Sequence, residues 1–168
     1  SKIVEISHAG SFKIFKKLEK REIVKAERIG KAVIYSLNLE NPITCKEIEM
    51  VLVEEAQNFK RWSEEFKELF KKDRIIMLYG SIIKNYSKAN DIDIMLVIKK
   101  SEYKEVAKII EKKQNILLKK IHSIELTADD LLYNLKQKKK EVIDIVKNAI
   151  ILYGQDKYVE IMKNVTSF

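Results

Sequence analysis

The segment LYGSIIKNYSKANDIDIMLVI, residues 78–98, carries an apolar run into Gly80-Ser81, crosses a polar loop and enters a second apolar run at Asp91-Ile92-Asp93. Residues 74–79 have strand length, and Ile82, Ile83 and Lys84 begin a helix for which Ser81 is the expected N-cap. Gly80 lets the backbone turn sharply and a ligand approach closely, and the free N–H groups of the new helix suit a phosphate. In residues 92–98, period-2 alternation puts Asp91, Asp93, Met95 and Val97 on one face and Ile92, Ile94, Leu96 and Ile98 on the other. Two carboxylates at i and i+2 of a strand lie about 6.5–7 Å apart and point the same way. They repel unless a cation bridges them, and such a pair can chelate Mg²⁺ bearing phosphate oxygens. Taken singly, Gly-Ser is most often a cap and Asp-x-Asp most often turn chemistry.

Gly-Ser, nine residues and Asp-x-Asp, with a strand before and a strand after, resembles the signature of the nucleotidyltransferase superfamily related to DNA polymerase β, especially its minimal members. The resemblance implies an α/β (α+β) fold with a small mixed sheet and flanking helices. It implies a nucleoside triphosphate, ATP first, seated on Gly80 and Ser81, with Mg²⁺ or Mn²⁺ held by the catalytic pair Asp91 and Asp93. Lys84 and Lys88 would offset phosphate charge. The acceptor hydroxyl would belong to a partner protein such as a toxin, a small molecule or an RNA end, and a partner or a second copy in a homodimer would complete the site. Two departures stand out. Such enzymes carry a third carboxylate on the strand beside Asp-x-Asp; here that strand is residues 119–126, and Glu125 is its one acid and the candidate third catalytic group. Asn85 stands where family members commonly place Gly. Asp129 and Asp130 are explained by the first turn of the following helix.

The chain has 168 residues, 46% of them hydrophobic, enough for one ordinary domain or two small ones. Its net charge of +8 suits a polyanionic partner, or simply a soluble surface with excess lysine. The Lys, Glu and Ile enrichment is a mixture that thermophile proteins often show. Cys45 stands alone and the two histidines are His8 and His122, so intrachain disulfides and Cys- or His-rich metal sites are excluded. With no apolar run of about 20 residues and no signal pattern, a cytoplasmic location without a membrane is expected.

Residues 1–7 are predicted as a short helix, His8-Ala9-Gly10 as a turn, and Ser11 as the cap of a helix to about Arg21 with Phe12, Phe15 and Leu18 on one side. Residues 23–29 and 32–37 form a hairpin about Gly30-Lys31. This order, with LEKREIVKAERIGKAVIYSLN, resembles the recognition helix and wing of archaeal-type winged helix-turn-helix regulators, lacking that fold's first helix. The resemblance implies DNA contacts by Ser11, Lys13, Lys16, Lys17, Arg28 and Lys31; the plainer reading is a docking element with a lysine surface. A long helix over residues 43–72 is expected to connect the two modules, with Trp62 packed in the core. The expected division is therefore 1–40, 41–72 and 73–168. After residue 99, helices are predicted over 101–113, 127–138, 141–153 (stopped at Gly154) and 156–165, with a strand in 115–126. Against nucleotidyl transfer stands a DNA-binding transcriptional regulator or nucleotide sensor that keeps the fold without turnover.

Overall fold

A computed structural model describes residues 7–166. The helix expected at 1–7 lies almost wholly outside that range. The chain divides into two compact units, Ser1–Ile48 and Glu49–Phe168. The mixture of helices and two small sheets is the α+β class expected from the sequence.

In the first unit, α1 (His8–Lys20) leads into the hairpin β1 (Val24–Ile29) and β2 (Ala32–Leu37), followed by the start of α2 (Pro42–Gln57). α1 begins three residues earlier than Ser11. The Ser7 side chain accepts from Gly10 N–H, so 8–10 is the helix's first turn rather than a separate bend. Gly30 takes φ +60° at the hairpin tip, where a left-handed residue is needed. Phe15 stacks on Tyr35 with ring centroids 4.5 Å apart, tying α1 to β2. Asn41 Oδ1 accepts from Ile43 N–H at 2.9 Å and caps α2, with Pro42 in its first turn.

The single helix expected over 43–72 is divided. After Gln57 the i→i−4 ladder gives way to Asn58 N–H to Glu55 O and Phe59 N–H to Ala56 O, three residues back. Then come α3 (Lys60–Glu65) and a 3₁₀ turn at Lys67–Leu69. The break turns Trp62, Phe66 and Leu69 into the core, all at least nine-tenths buried.

The second unit is built on a four-stranded sheet in the order β5-β4-β3-β6, from β3 (Ile75–Tyr79), β4 (Asp91–Val97), β5 (Lys120–Leu126) and β6 (Ile150–Tyr153). β4 runs antiparallel to β3 and parallel to β5, and β6 runs antiparallel to β3. Between β3 and β4 lies α4 (Ser81–Lys84), and a 3₁₀ turn with α5 (Tyr103–Gln114) makes the crossover from β4 to β5. The remaining helices are α6 (Ala128–Lys136), α7 (Lys140–Asn148) and α8 (Gln155–Thr166).

Both sheet faces are covered, and strand alternation sorts the apolar residues between them. Ile76, Leu78, Ile92, Ile94 and Leu96 pack with Trp62, Phe66 and Val106. Ile75, Met77, Met95 and Val97 pack with Leu131, Leu135 and apolar residues of α7 and α8. Arg74 is buried at the base of β3, where it donates to Leu69 O and to the carboxylates of Glu102 and Glu105.

The helix expected over 141–153 ends at Asn148, and 150–153 is a strand. Ile150, Ile151 and Leu152 are all buried, so the segment shows no alternation to separate it from a continuing helix. Gly154 therefore does not stop a helix. At φ +80° it passes so close to β3 that a Cβ there would overlap Arg74 O and lie 3.0 Å from Ile75 Cα. No helix among the described residues is long and apolar enough to cross a membrane.

Candidate metal and nucleotide site

Register creates the site. Tyr79 at the end of β3 pairs with Asp93 near the start of β4, which brings the following residue, Gly80, against the Asp93 side chain. Gly80 has φ +81°, and a Cβ on it would overlap Asp93 Oδ2 and stand 3.0 Å from Asp93 Cγ. Only glycine meets both demands. Gly80, not Ser81, takes the capping position of α4; Ser81 is the first helical residue and its side chain is exposed. Ile82, 3% exposed, pins this short helix to the core.

Residues 85–90 bring the chain back to β4. Asn85 Oδ1 accepts from Lys88 N–H at 3.2 Å and Asn85 O accepts from Ala89 N–H at 3.0 Å, so Asn85 organises the loop itself. Asp91 and Asp93 then project from the same face of β4, as the alternation predicts, and both are part-buried. Burial, followed by the neighbouring Asp91 charge, raises the pKa of Asp93, and His122 partly offsets this. Tyr79 is likewise pushed up, by burial first and then by Asp93 and Asp91.

The neighbour of the carboxylates across the sheet is a histidine. Parallel pairing sets Asp93 beside His122 and Leu96 beside Glu125. His122 Nδ1 lies 3.3 Å from Asp91 Oδ2 and 3.5 Å from Asp93 Oδ1. Glu125, an odd number of residues from His122, falls on the other face with Ile121 and Ser123, against α5. The third carboxylate expected at Glu125 is thus not beside the pair. His122 was within reach of the sequence, since it lies on the strand 119–126, but a search for acids passes over it. Strand register, which sequence spacing does not give, decides which residue faces the aspartates.

A cleft of about 520 Å³ adjoins Gly80 and Ser81 on the side of α7, with Tyr79, Lys84, Asp144, Ile145 and Asn148 in its walls. Lys84 thus borders the site. Lys88 lies exposed on the loop and is not among the residues lining that cleft. Asp130 takes the helix-start role expected of it. Its carboxylate accepts from Thr127 N–H at 3.0 Å and its own N–H donates to Thr127 Oγ1 at 3.1 Å.

In the first unit, Ser11, Lys13, Lys16 and Lys17 lie on α1, Arg28 near the end of β1 and Lys31 beside Gly30 at the hairpin tip. Lys16 pairs with Glu19 at 2.7 Å, and Ser11 is a half-buried helix-interior residue instead of the cap.

The chain matches no family model, no curated protein and no solved structure. Its chemistry is therefore read from its own residues. Asp91, Asp93 and His122 offer ligand atoms that all lie within 4.8 Å of one another. Two carboxylates on one strand face, together with an imidazole, are a donor set suited to a divalent cation.

Proposed function

We propose that the second unit is a metal-dependent nucleotidyltransferase that moves a nucleoside monophosphate, AMP from ATP in the first instance, onto a hydroxyl acceptor. The observation that supports this reading is the packing of Asp93 against Gly80, at a turn that no other residue fits, with Asp91 beside it on the same face of β4. Asp91 and Asp93 would hold the cation, and the open backbone at Gly80 with Ser81 would receive the phosphates. Lys84 borders the adjoining cleft, where its charge would offset that of a bound triphosphate. A bound divalent ion supplies charge neutralisation on the phosphate oxygens and lowers the barrier to in-line displacement. In the reaction the acceptor oxygen bonds to the α-phosphorus, the bond to the β-phosphate oxygen breaks, and pyrophosphate leaves. The acceptor proton is lost to solvent, which reaches the site past Asp91 and His122, with side chains 32% and 46% exposed.

The bond that breaks tests the reaction class. ATP incubated with the protein, a divalent cation and excess glycerol as a hydroxyl acceptor should yield AMP-glycerol or AMP together with pyrophosphate, and Asp91→Ala should abolish it. ADP and inorganic phosphate would place the attack at the γ-phosphorus and overturn the reading. The position of Glu125 on the opposite face favours a second reading, a nucleotide sensor that binds without turnover. Metal-dependent ATP binding with no product of either kind would identify it.

A further inference from the structure

The family that residues 78–98 resemble places carboxylates around its ions, whereas this chain puts an imidazole third. We propose that His122 is a direct ligand of the ion held by Asp91 and Asp93, and that the site is built for a first-row transition-metal dication such as Mn²⁺, Co²⁺ or Zn²⁺ in preference to Mg²⁺. The inference rests on the metal-nucleotide reading above and specifies the ion that serves it.

Placement comes first. His122 stands beside Asp93 in a parallel strand ladder that runs unbroken from Asp91 with Lys120 to Val97 with Leu126. Its position is fixed by backbone pairing rather than by a mobile loop. The separations of His122 Nδ1, 3.3 Å from Asp91 Oδ2 and 3.5 Å from Asp93 Oδ1, fall in the range of two donors on one ion. Donors each about 2.15 Å from one ion stand about 3.0 Å apart at a right angle and about 3.5 Å apart at the tetrahedral angle. Gly80 holds the same carboxylate from its other side, because a Cβ there would overlap Asp93 Oδ2.

Donor chemistry then selects the ion. Mg²⁺ is hard, demands near-octahedral oxygen ligands and keeps several waters. Imidazole nitrogen suits Zn²⁺, Cu²⁺, Fe²⁺ and Ni²⁺, and any mixed N/O site gains affinity along the series from Mn²⁺ towards Cu²⁺. Replacing a third carboxylate by imidazole also lowers the negative charge of the site. That costs Mg²⁺, bound mainly by charge, more than an ion that bonds to nitrogen. The remaining positions of the ion stay available to water or phosphate oxygen, since His122 lies on an edge strand with its side chain 46% exposed.

The competing role for His122 is an ion-pair partner that only neutralises the carboxylates. Spectroscopy on metal-loaded protein without nucleotide separates the two. MnCl₂ is titrated into wild type, His122→Gln, His122→Asp and Asp91→Ala, with binding followed by electron paramagnetic resonance and MgCl₂ as competitor. Electron spin-echo modulation then reports ¹⁴N coupled to the bound Mn²⁺. Imidazole-type ¹⁴N couplings are expected in wild type and are expected to vanish in His122→Gln. The Mn²⁺-over-Mg²⁺ preference should fall about tenfold or more in His122→Gln, and His122→Asp should keep a site while shifting it towards Mg²⁺. Bound Mn²⁺ without ¹⁴N coupling, or a preference unchanged in His122→Gln, would overturn the inference. Were ATP binding to require a divalent cation while bound Mn²⁺ shows no ¹⁴N coupling, the nucleotide reading would stand and this one fall. A wild type that binds neither ion, with or without ATP, removes both.

Discussion

Gly80 is the position at which the site is least tolerant. Its φ of +81° and the overlap that a Cβ would make with Asp93 act together, so Gly80→Ala must either distort the turn or push the carboxylate aside. Its cost should be about 1–3 kcal/mol, measured by urea unfolding, with loss of divalent-cation binding. Full metal affinity in the variant would contradict the account. Asp93 gives a second test. Its folded pKa is raised by burial and by Asp91, so its contribution to stability is complete below the ordinary carboxylate pKa and is lost as pH rises through the folded value. At neutral pH without a cation, the ionised side chain weakens the fold. Asp93→Asn should therefore raise the melting temperature in chelator at pH 7, and the gain should disappear below about pH 4. A variant that melts lower than wild type in chelator would refute this.

Elements depend on a few polar contacts at their ends. The Thr127 and Asp130 side chains satisfy each other's N–H groups at the start of α6, and Thr127→Ala should cost about 1 kcal/mol in denaturant unfolding. Arg74 binds the foot of β3 to Leu69 O and to the entry of α5 through Glu102 and Glu105. Hydrogen bonding from Arg74, aided by Lys71 and the Lys99 N–H, holds the Glu102 carboxyl down at about 2. That lowered value means stability present above the usual glutamate range and lost as pH falls through about 2. Arg74→Ala should cost about 3–5 kcal/mol, because it leaves Glu102 part-buried without its main partner. It should also flatten the acid limb of the stability curve. At this scale the sequence was readable where chemistry marks a boundary: Gly80 after β3, the Asp-x-Asp that opens β4, and the acidic first turn of α6 at Asp129 and Asp130. β6 escaped because three consecutive buried residues carry no period. The division of the long helix escaped because Leu52, before the break at Asn58, and Phe59, Trp62, Phe66 and Leu69, after it, keep one helical spacing. His122 escaped because facing residues on parallel strands are set by register.

For the whole molecule, the sheet's order gathers the site at one end of three neighbouring strands. β3 leaves at Gly80, β4 enters at Asp91 and parallel β5 enters at Lys120, so the exit of one strand and the entries of two others meet. A ligand bridging these ends should stabilise the second unit as a body. The chain's net charge of +8 adds a general attraction for polyanions, which weakens with salt, whereas metal-dependent binding through Asp91 and Asp93 should persist. The most direct measurement is titration calorimetry of a non-hydrolysable ATP analogue with Mn²⁺ and with Mg²⁺, at moderate salt, on wild type and on Asp91→Ala combined with Asp93→Ala. Binding in the micromolar range that requires the cation and disappears in the double variant is the predicted result. Nucleotide binding that survives chelator or the loss of both aspartates, or no binding by the wild type, would contradict a metal-nucleotide site at Gly80, Asp91 and Asp93.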